Sequence, residues 1–234
     1  MRLRKYLFTN RTVMKIKLLC IAAACAAASA ASAQLVITEV MANSSQPGGS
    51  ANGDWWELTN TGASSIDLDG YYWDDSIAGN DGALFPTLSI GAGESIVIVD
   101  ENSANIAGFI SAWGGGFTGI SKDEFGGVND FSGLSSGGDS IYLWDADPSG
   151  AANLVAQVTF GATTDGASFA WDTNGDSLGV SVPGTYGAFT APGDGAGGAG
   201  TDIGSPGSAI PEPGFYGAIV GFIALTFAAV RRRR

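Results

Sequence analysis

The chain reads as an all-β protein built from two sheets packed face to face, and three observations carry that reading. Between positions 34 and 210 the apolar residues come in short alternating runs rich in Val, Ile, Tyr, Phe and Trp, broken by Gly, Asn, Asp and Ser. No part of that region sets Ala, Leu, Glu and Lys at helical spacing, so no helix is expected inside it. The two cysteines, Cys20 and Cys25, both precede it. The core must therefore hold without disulfides, which a domain of roughly 150 residues can do by burial alone.

The strands are expected at 35–42, 55–60, 66–73, 95–99, 140–145 and 155–160. Side chains alternate across a strand, so Trp56 and Leu58 share one face while Glu57 points to the other. Ile66 and Leu68 turn inward between Asp67 and Asp69, and Ile141 and Leu143 oppose Tyr142 and Trp144. Each strand then buries one side, which suits two aligned sheets.

Between 102 and 138 the text loosens into glycine-rich runs such as Trp113-Gly114-Gly115-Gly116-Phe117. That is too long for a hairpin turn, and Phe109, Trp113, Phe117, Phe125 and Phe131 require a place to pack, so a structured excursion is expected. From 192 to 210 the chain turns to Gly, Ala, Ser and Pro, the composition of a flexible stalk.

Both ends carry export signals. Lys15 and Lys17 precede an apolar stretch from 18 to 28 and the small-residue site Ala31-Ser32-Ala33. Residues 1–33 are thus a signal peptide cut between Ala33 and Gln34, with Met14 an alternative start to Met1. At the other end, Pro211-Glu212-Pro213 is followed by seventeen apolar residues, 214–230, and then Arg231, Arg232, Arg233 and Arg234. As a helix the run spans roughly 25 Å, enough for a single, slightly short membrane crossing. The arginines hold their end on the cytoplasmic side.

These three C-terminal parts, in this order, resemble the PEP-CTERM sorting signal of Gram-negative bacteria that make exopolysaccharide. The resemblance implies recognition by a membrane-embedded exosortase, processing near Pro211-Glu212-Pro213, and delivery to the cell envelope or the extracellular matrix.

A second resemblance covers about 35–191. Ile37-Thr38-Glu39-Val40-Met41-Ala42-Asn43 and Asp54-Trp55-Trp56-Glu57-Leu58-Thr59-Asn60 match the first two motifs of the lamin-tail domain. Ile66-Asp67-Leu68-Asp69-Gly70-Tyr71 and Leu134-Ser135-Ser136-Gly137-Gly138-Asp139-Ser140-Ile141-Tyr142-Leu143 follow in family order. The motif usual near the end is replaced by Ala170-Trp171-Asp172-Thr173-Asn174-Gly175. The resemblance implies an immunoglobulin-like β-sandwich over 34–191 that serves as an interaction module.

Charge and composition narrow the chemistry. The chain has no histidine, which removes the Ser-His-Asp triad, His-ligated zinc and the commonest general base. Between 34 and 210, Lys122 is the one basic residue against 22 acidic ones. Such a surface repels nucleic acid and attracts divalent cations, although adaptation to a saline habitat explains the acidity without any specific ligand and is the preferred reading.

Asp172, Asn174 and Asp176 have the alternate spacing of a calcium loop, although Ser177 replaces its usual glycine. Asx-rich turns look the same without metal. Asp145 and Asp147 read as a turn, and Asp74, Asp75 and Asp81 as a weaker cation loop. Glu39 and Glu57 are the candidate carboxylate pair of a glycosidase, against a role in bonding loop backbone. Trp55, Tyr72, Trp73, Trp144 and Trp171 are candidate sugar-stacking surfaces, against core packing. The favoured expectation is a non-enzymatic envelope or matrix protein, structural or adhesive. Its expected partners are the exosortase, the membrane and an exopolysaccharide or surface protein.

Overall fold

The computed structural model describes residues 34–44, 53–79, 82–127, 133–191 and 202–209. The expected signal peptide with Ala33, most of the stalk, and the C-terminal signal with Pro211, Glu212, Pro213 and Arg231 to Arg234 lie outside the described residues. Asp81 and Phe131 lie outside them too. Among the described residues no helix is long and apolar enough to cross a membrane.

The chain opens with β1 (Leu35–Met41), β2 (Trp55–Asn60), β3 (Ile66–Asp67), β4 (Tyr72–Asp74) and β5 (Ala83–Leu84). Next come β6 (Ser89–Ile90), β7 (Ser95–Val99), the helix α1 (Ser103–Ala112) and β8 (Thr118–Ser121). A 3-10 turn at Lys122–Glu124 leads to β9 (Gly126–Gly127), β10 (Asp139–Trp144) and β11 (Leu154–Phe160). The last strands are β12 (Phe169–Trp171), β13 (Ser177–Val180), β14 (Phe189–Thr190) and β15 (Ile203–Gly204).

Two sheets dominate. One has six strands in the order β13-β12-β1-β2-β7-β8, antiparallel except between β7 and β8. The other has five, β11-β10-β4-β5-β9. The main core lies between them and joins Ile37, Val40, Trp56, Leu58, Ile96 and Ile98 to Trp73, Phe85, Ile141 and Leu143. Trp56 packs against Trp73 and meets Phe85 edge-on, at centroid distances of 5.2 and 6.3 Å. The expected β-sandwich of immunoglobulin-like class is thus the architecture, and Trp56 and Leu58 do share its inner face.

The outer face of the six-stranded sheet is also covered. A parallel strand pair needs a crossover connection, and α1 supplies it between β7 and β8. Ile106, Phe109, Ile110 and Trp113 of that segment close over Met41, Trp55, Val97 and Val99 in a second, smaller core. Trp55 meets Trp113 edge-on at 5.5 Å. Every residue of β1, β2 and β7 is consequently buried, polar ones included.

Four expectations change. A helix does form within 34–210, and Ile106, Phe109 and Ile110 with the C-cap residue Trp113 stand at the i, i+3, i+4, i+7 spacing of one helical face. Asn102 makes no side-chain cap; instead Asp123 from the 3-10 turn accepts from the N–H and the hydroxyl of Ser103. The expected strand 66–73 is broken after Asp67 by a turn at Asp69 and Gly70, whose φ of 83° suits glycine. Glu57 does point away from Trp56 and Leu58, but into a second buried layer rather than solvent.

The fourth change concerns the stalk. Residues 202–209 were expected within it, yet β15 pairs with β14 and the segment returns across the outer face of the six-stranded sheet. Asp202 is fully buried and Ser205 nearly so.

Candidate functional site

β1 and β2 lie antiparallel with Glu39 opposite Glu57, and the register slips by one residue between Ile37 and Glu39. Such a bulge places two neighbouring residues on one face of a strand. Thr38 and Glu39 therefore both join Glu57 on the outer face, while Ile37 and Val40 stay in the inner core. The alternation of the apolar residues survives, and two carboxylates meet in one buried site.

The strap formed by 202–208 closes that site. The backbone N–H of Ser205 donates to both oxygens of Glu39 at 2.9 and 3.1 Å, and the Ser205 hydroxyl donates at 2.9 Å. Ser168, next to β12, donates its hydroxyl to the same carboxylate. Glu57 accepts from the Thr38 hydroxyl and from the backbone N–H of Gly207. Thr38, Thr59 and Ser95 continue the network as a row of hydroxyls at 2.8 and 2.7 Å.

The fit is close. A Cβ on Gly204 would come within 2.8 Å of Glu39 Oε1 and 3.1 Å of the Trp55 ring. At Gly207, whose φ is 81°, it would strike Phe117.

Burial governs the electrostatics. It pushes Glu39 well above the ordinary carboxylate range, and the neighbouring Glu57 adds to the rise. Burial likewise raises Glu57, against the pull of the donors from Thr38 and Gly207. Beside the start of the strap, burial pushes Asp54 up to about 6, with Asp100 and Asp202 adding to the effect. Asp202 accepts from the Ser44 hydroxyl, and Asp54 accepts from the Ser44 N–H. Lys122, the one cation between 34 and 210, lies 2.8 Å from Asp100.

Glu39 and Glu57 are therefore brought together as expected, yet both are sealed from solvent and hydrogen-bonded to loop backbone. The open cleft that glycoside hydrolysis needs is absent around them.

Of the candidate sugar-stacking aromatics, Trp55, Trp73, Trp144 and Trp171 are buried and Tyr72 is half-buried. They belong to the packing, and the platform they were expected to offer is not on the surface. Asp172 accepts from the backbone N–H groups of Asn174 and Asp176 at 2.9 and 3.0 Å, forming the turn between β12 and β13. Among the described residues no three acidic, histidine or cysteine side chains are grouped to hold a metal ion. Asp145 and Asp147 bond the turns at Asn153 and Ser149. Asp74 accepts from the N–H of Ser76.

The reading of the residues missed Ser168, Ser205 and Gly207, which lie 129, 166 and 150 positions from their glutamate partners. No local pattern announces them. It also missed a small cavity of about 140 Å³ lined by Leu178, Val180, Val182, Thr185 and Tyr186. Tyr186 is half exposed and holds a positive φ of 51°, sparsely populated for a bulky residue.

No curated protein and no solved structure matches the chain. The family model described as Lamin Tail Domain matches residues 28–162, which takes in β1 to β11 and both glutamates. That match covers more than half of the 234 residues, and with the sandwich that those strands build, the chain belongs to the lamin tail domain family.

Proposed function

We infer that this protein is exported and sorted by its C-terminal signal to the envelope or exopolysaccharide matrix of a Gram-negative bacterium. There it acts as a non-enzymatic structural, adhesive or interaction module. The observation that carries this reading is the use made of its candidate chemistry. Glu39 and Glu57 fasten the strap, five of the six tryptophans fill the two cores, and an acidic exterior remains. The family's immunoglobulin-like domain fits a binding or structural role. The order Pro-Glu-Pro, apolar run and arginines supports the sorting route.

Fractionation of a polymer-producing host tests it. Wild-type chain is expected in the outer or matrix fraction. Replacement of Pro211, Glu212 and Pro213 by alanine is expected to hold it in the inner membrane. Equal distribution of the two forms would overturn the sorting route.

Glycan binding is a second reading, and the half-exposed Tyr186 beside the 140 Å³ cavity supports it. A cavity of about 150 Å³ admits a ring the size of benzene, so a sugar would lie on Tyr186 across its mouth. Saturable binding of an exopolysaccharide fragment that is lost in Tyr186→Ala would favour it over a purely structural role.

A further inference from the structure

The strap is held in an unusual way: the described groups that bond Glu39 and Glu57 beneath it are uncharged hydroxyls and backbone N–H groups. We propose that residues 202–208 are a proton-gated latch, seated while the carboxylates beneath them hold protons and released when those carboxylates ionise. The observations come from every element packed against the segment. β1 presents Glu39 and β2 presents Glu57, each fully covered and each bonded to strap atoms. Asp54, just before β2, lies near both Asp100, just after β7, and the strap's own Asp202. α1, β8, β12 and β14 contribute no titratable side chain. Lys122 is bonded to Asp100.

The contacts that seat the strap come from uncharged backbone N–H groups and hydroxyls; they favour the ionised carboxylates, but burial, and for Glu39 the neighbouring Glu57, outweigh that pull. Two carboxylates that close cannot both ionise cheaply in a dry site. With the strap in place, ionisation must occur without water. With the strap lifted, both carboxylates are hydrated. The cost of ionisation is therefore relieved by the movement of one seven-residue segment rather than by unfolding of the sandwich. The outer-face core of Trp55, Phe109 and Trp113 and the inner core hold the sheet without it.

Release changes how far the C-terminal motif can stand from the domain. With Ser208 seated, three residues lead to Pro211, a reach of at most about 11 Å. With the strap free, the chain runs from Ala191, and the limit rises to roughly 70 Å. The latch itself does not depend on the sorting route; its consequence for processing does.

Hydrogen exchange of the full-length chain in detergent micelles, read by mass spectrometry at about pH 5 and about pH 9, tests the latch. Rates are referenced to β2 and β7 within the same sample. Protection across 202–209 is expected to fall about tenfold or more at the higher pH while β2 and β7 stay protected. The double variant Glu39→Gln, Glu57→Gln is expected to keep the strap protected at both values. In Gly207→Ala, which drives a Cβ into Phe117, the strap should be open at both values with the sheet intact.

Equal protection of the wild-type strap at the two pH values would overturn the proposal, as would loss of strap and sheet together. A double variant that opens at high pH like the wild type would overturn it as well. If that variant does not fold, the wild-type comparison decides.

Discussion

Ser205 reaches Glu39 with both its backbone N–H and its hydroxyl, each at 2.9 Å, across 166 residues of sequence. This contact ties the segment just before the C-terminal motif to the first strand of the sandwich. It explains how a stretch with stalk-like composition comes to be buried. Composition describes what a segment can do in water, and an acceptor pair waiting in the sheet changes that environment.

Replacing Glu39 by alanine should therefore cost more than a surface change. Ser205 N–H and the Ser205 hydroxyl would lose their acceptor inside the fold, at about 1–3 kcal/mol for each group left unsatisfied, while the Ser168 hydroxyl retains Ser181 and the Ile203 carbonyl as partners. A total loss of about 3–5 kcal/mol is expected from urea denaturation. Glu39→Gln keeps one acceptor oxygen and should lose less than half as much. Equal losses in the two variants would show that the hydrogen bonds are not what counts.

Stability should fall as pH rises. Both glutamates ordinarily titrate near 4.5, and in the fold they hold their protons to higher pH because burial disfavours the charged form. Between the unfolded and folded values the native state binds more protons than the unfolded chain, so unfolding free energy decreases with pH. The contribution is complete below 4.5 and is lost as pH climbs through the raised values, to about 7 for Glu57 and about 8 for Glu39. Denaturation midpoints from about pH 4 to about pH 9 should trace that decline, and the double Gln variant should flatten it.

Trp55 stands where the sheet, α1 and the strap meet. It contacts Phe109 and Trp113, and its ring lies against Gly204. Trp55→Ala should destabilise the protein by about 3–5 kcal/mol, with α1 and the strap exchanging hydrogen faster than the inner core. Trp144→Ala, at the C-terminal end of β10 and outside the core around α1, should leave α1 protected. Identical patterns from the two variants would argue against separate cores.

The loop at Asp172 offers a direct choice between turn and cation site. As a turn, Asp172→Ala should cost about 1 kcal/mol by freeing two N–H groups, equally with and without calcium. Thermal melts at matched ionic strength would show the two curves moving together. A calcium-dependent rise in melting temperature that disappears in the variant would assign the loop to the cation.

Much of the sandwich could be read from residue order alone. The alternation of Trp56, Glu57 and Leu58, or of Ile141, Tyr142 and Leu143, follows from the two-residue period of a strand and needs no partner to interpret. The spacing of Ile106, Phe109, Ile110 and Trp113 was equally local and held a helix, but the glycines around it and the lack of charged helix formers concealed it.

The sequence by itself determined an all-β domain with a buried face on each strand, an acidic exterior and no histidine or cysteine chemistry after position 33. It also determined that Glu39 and Glu57 stand in neighbouring strand motifs. Only the tertiary structure decided that both faces of the β1–β2 sheet are buried and that the two glutamates lie side by side beneath the strap. The physical reason is range: strand period and composition act over a few residues. A carboxylate's environment is set by whichever distant segment removes its water, and here that segment is 166 residues away.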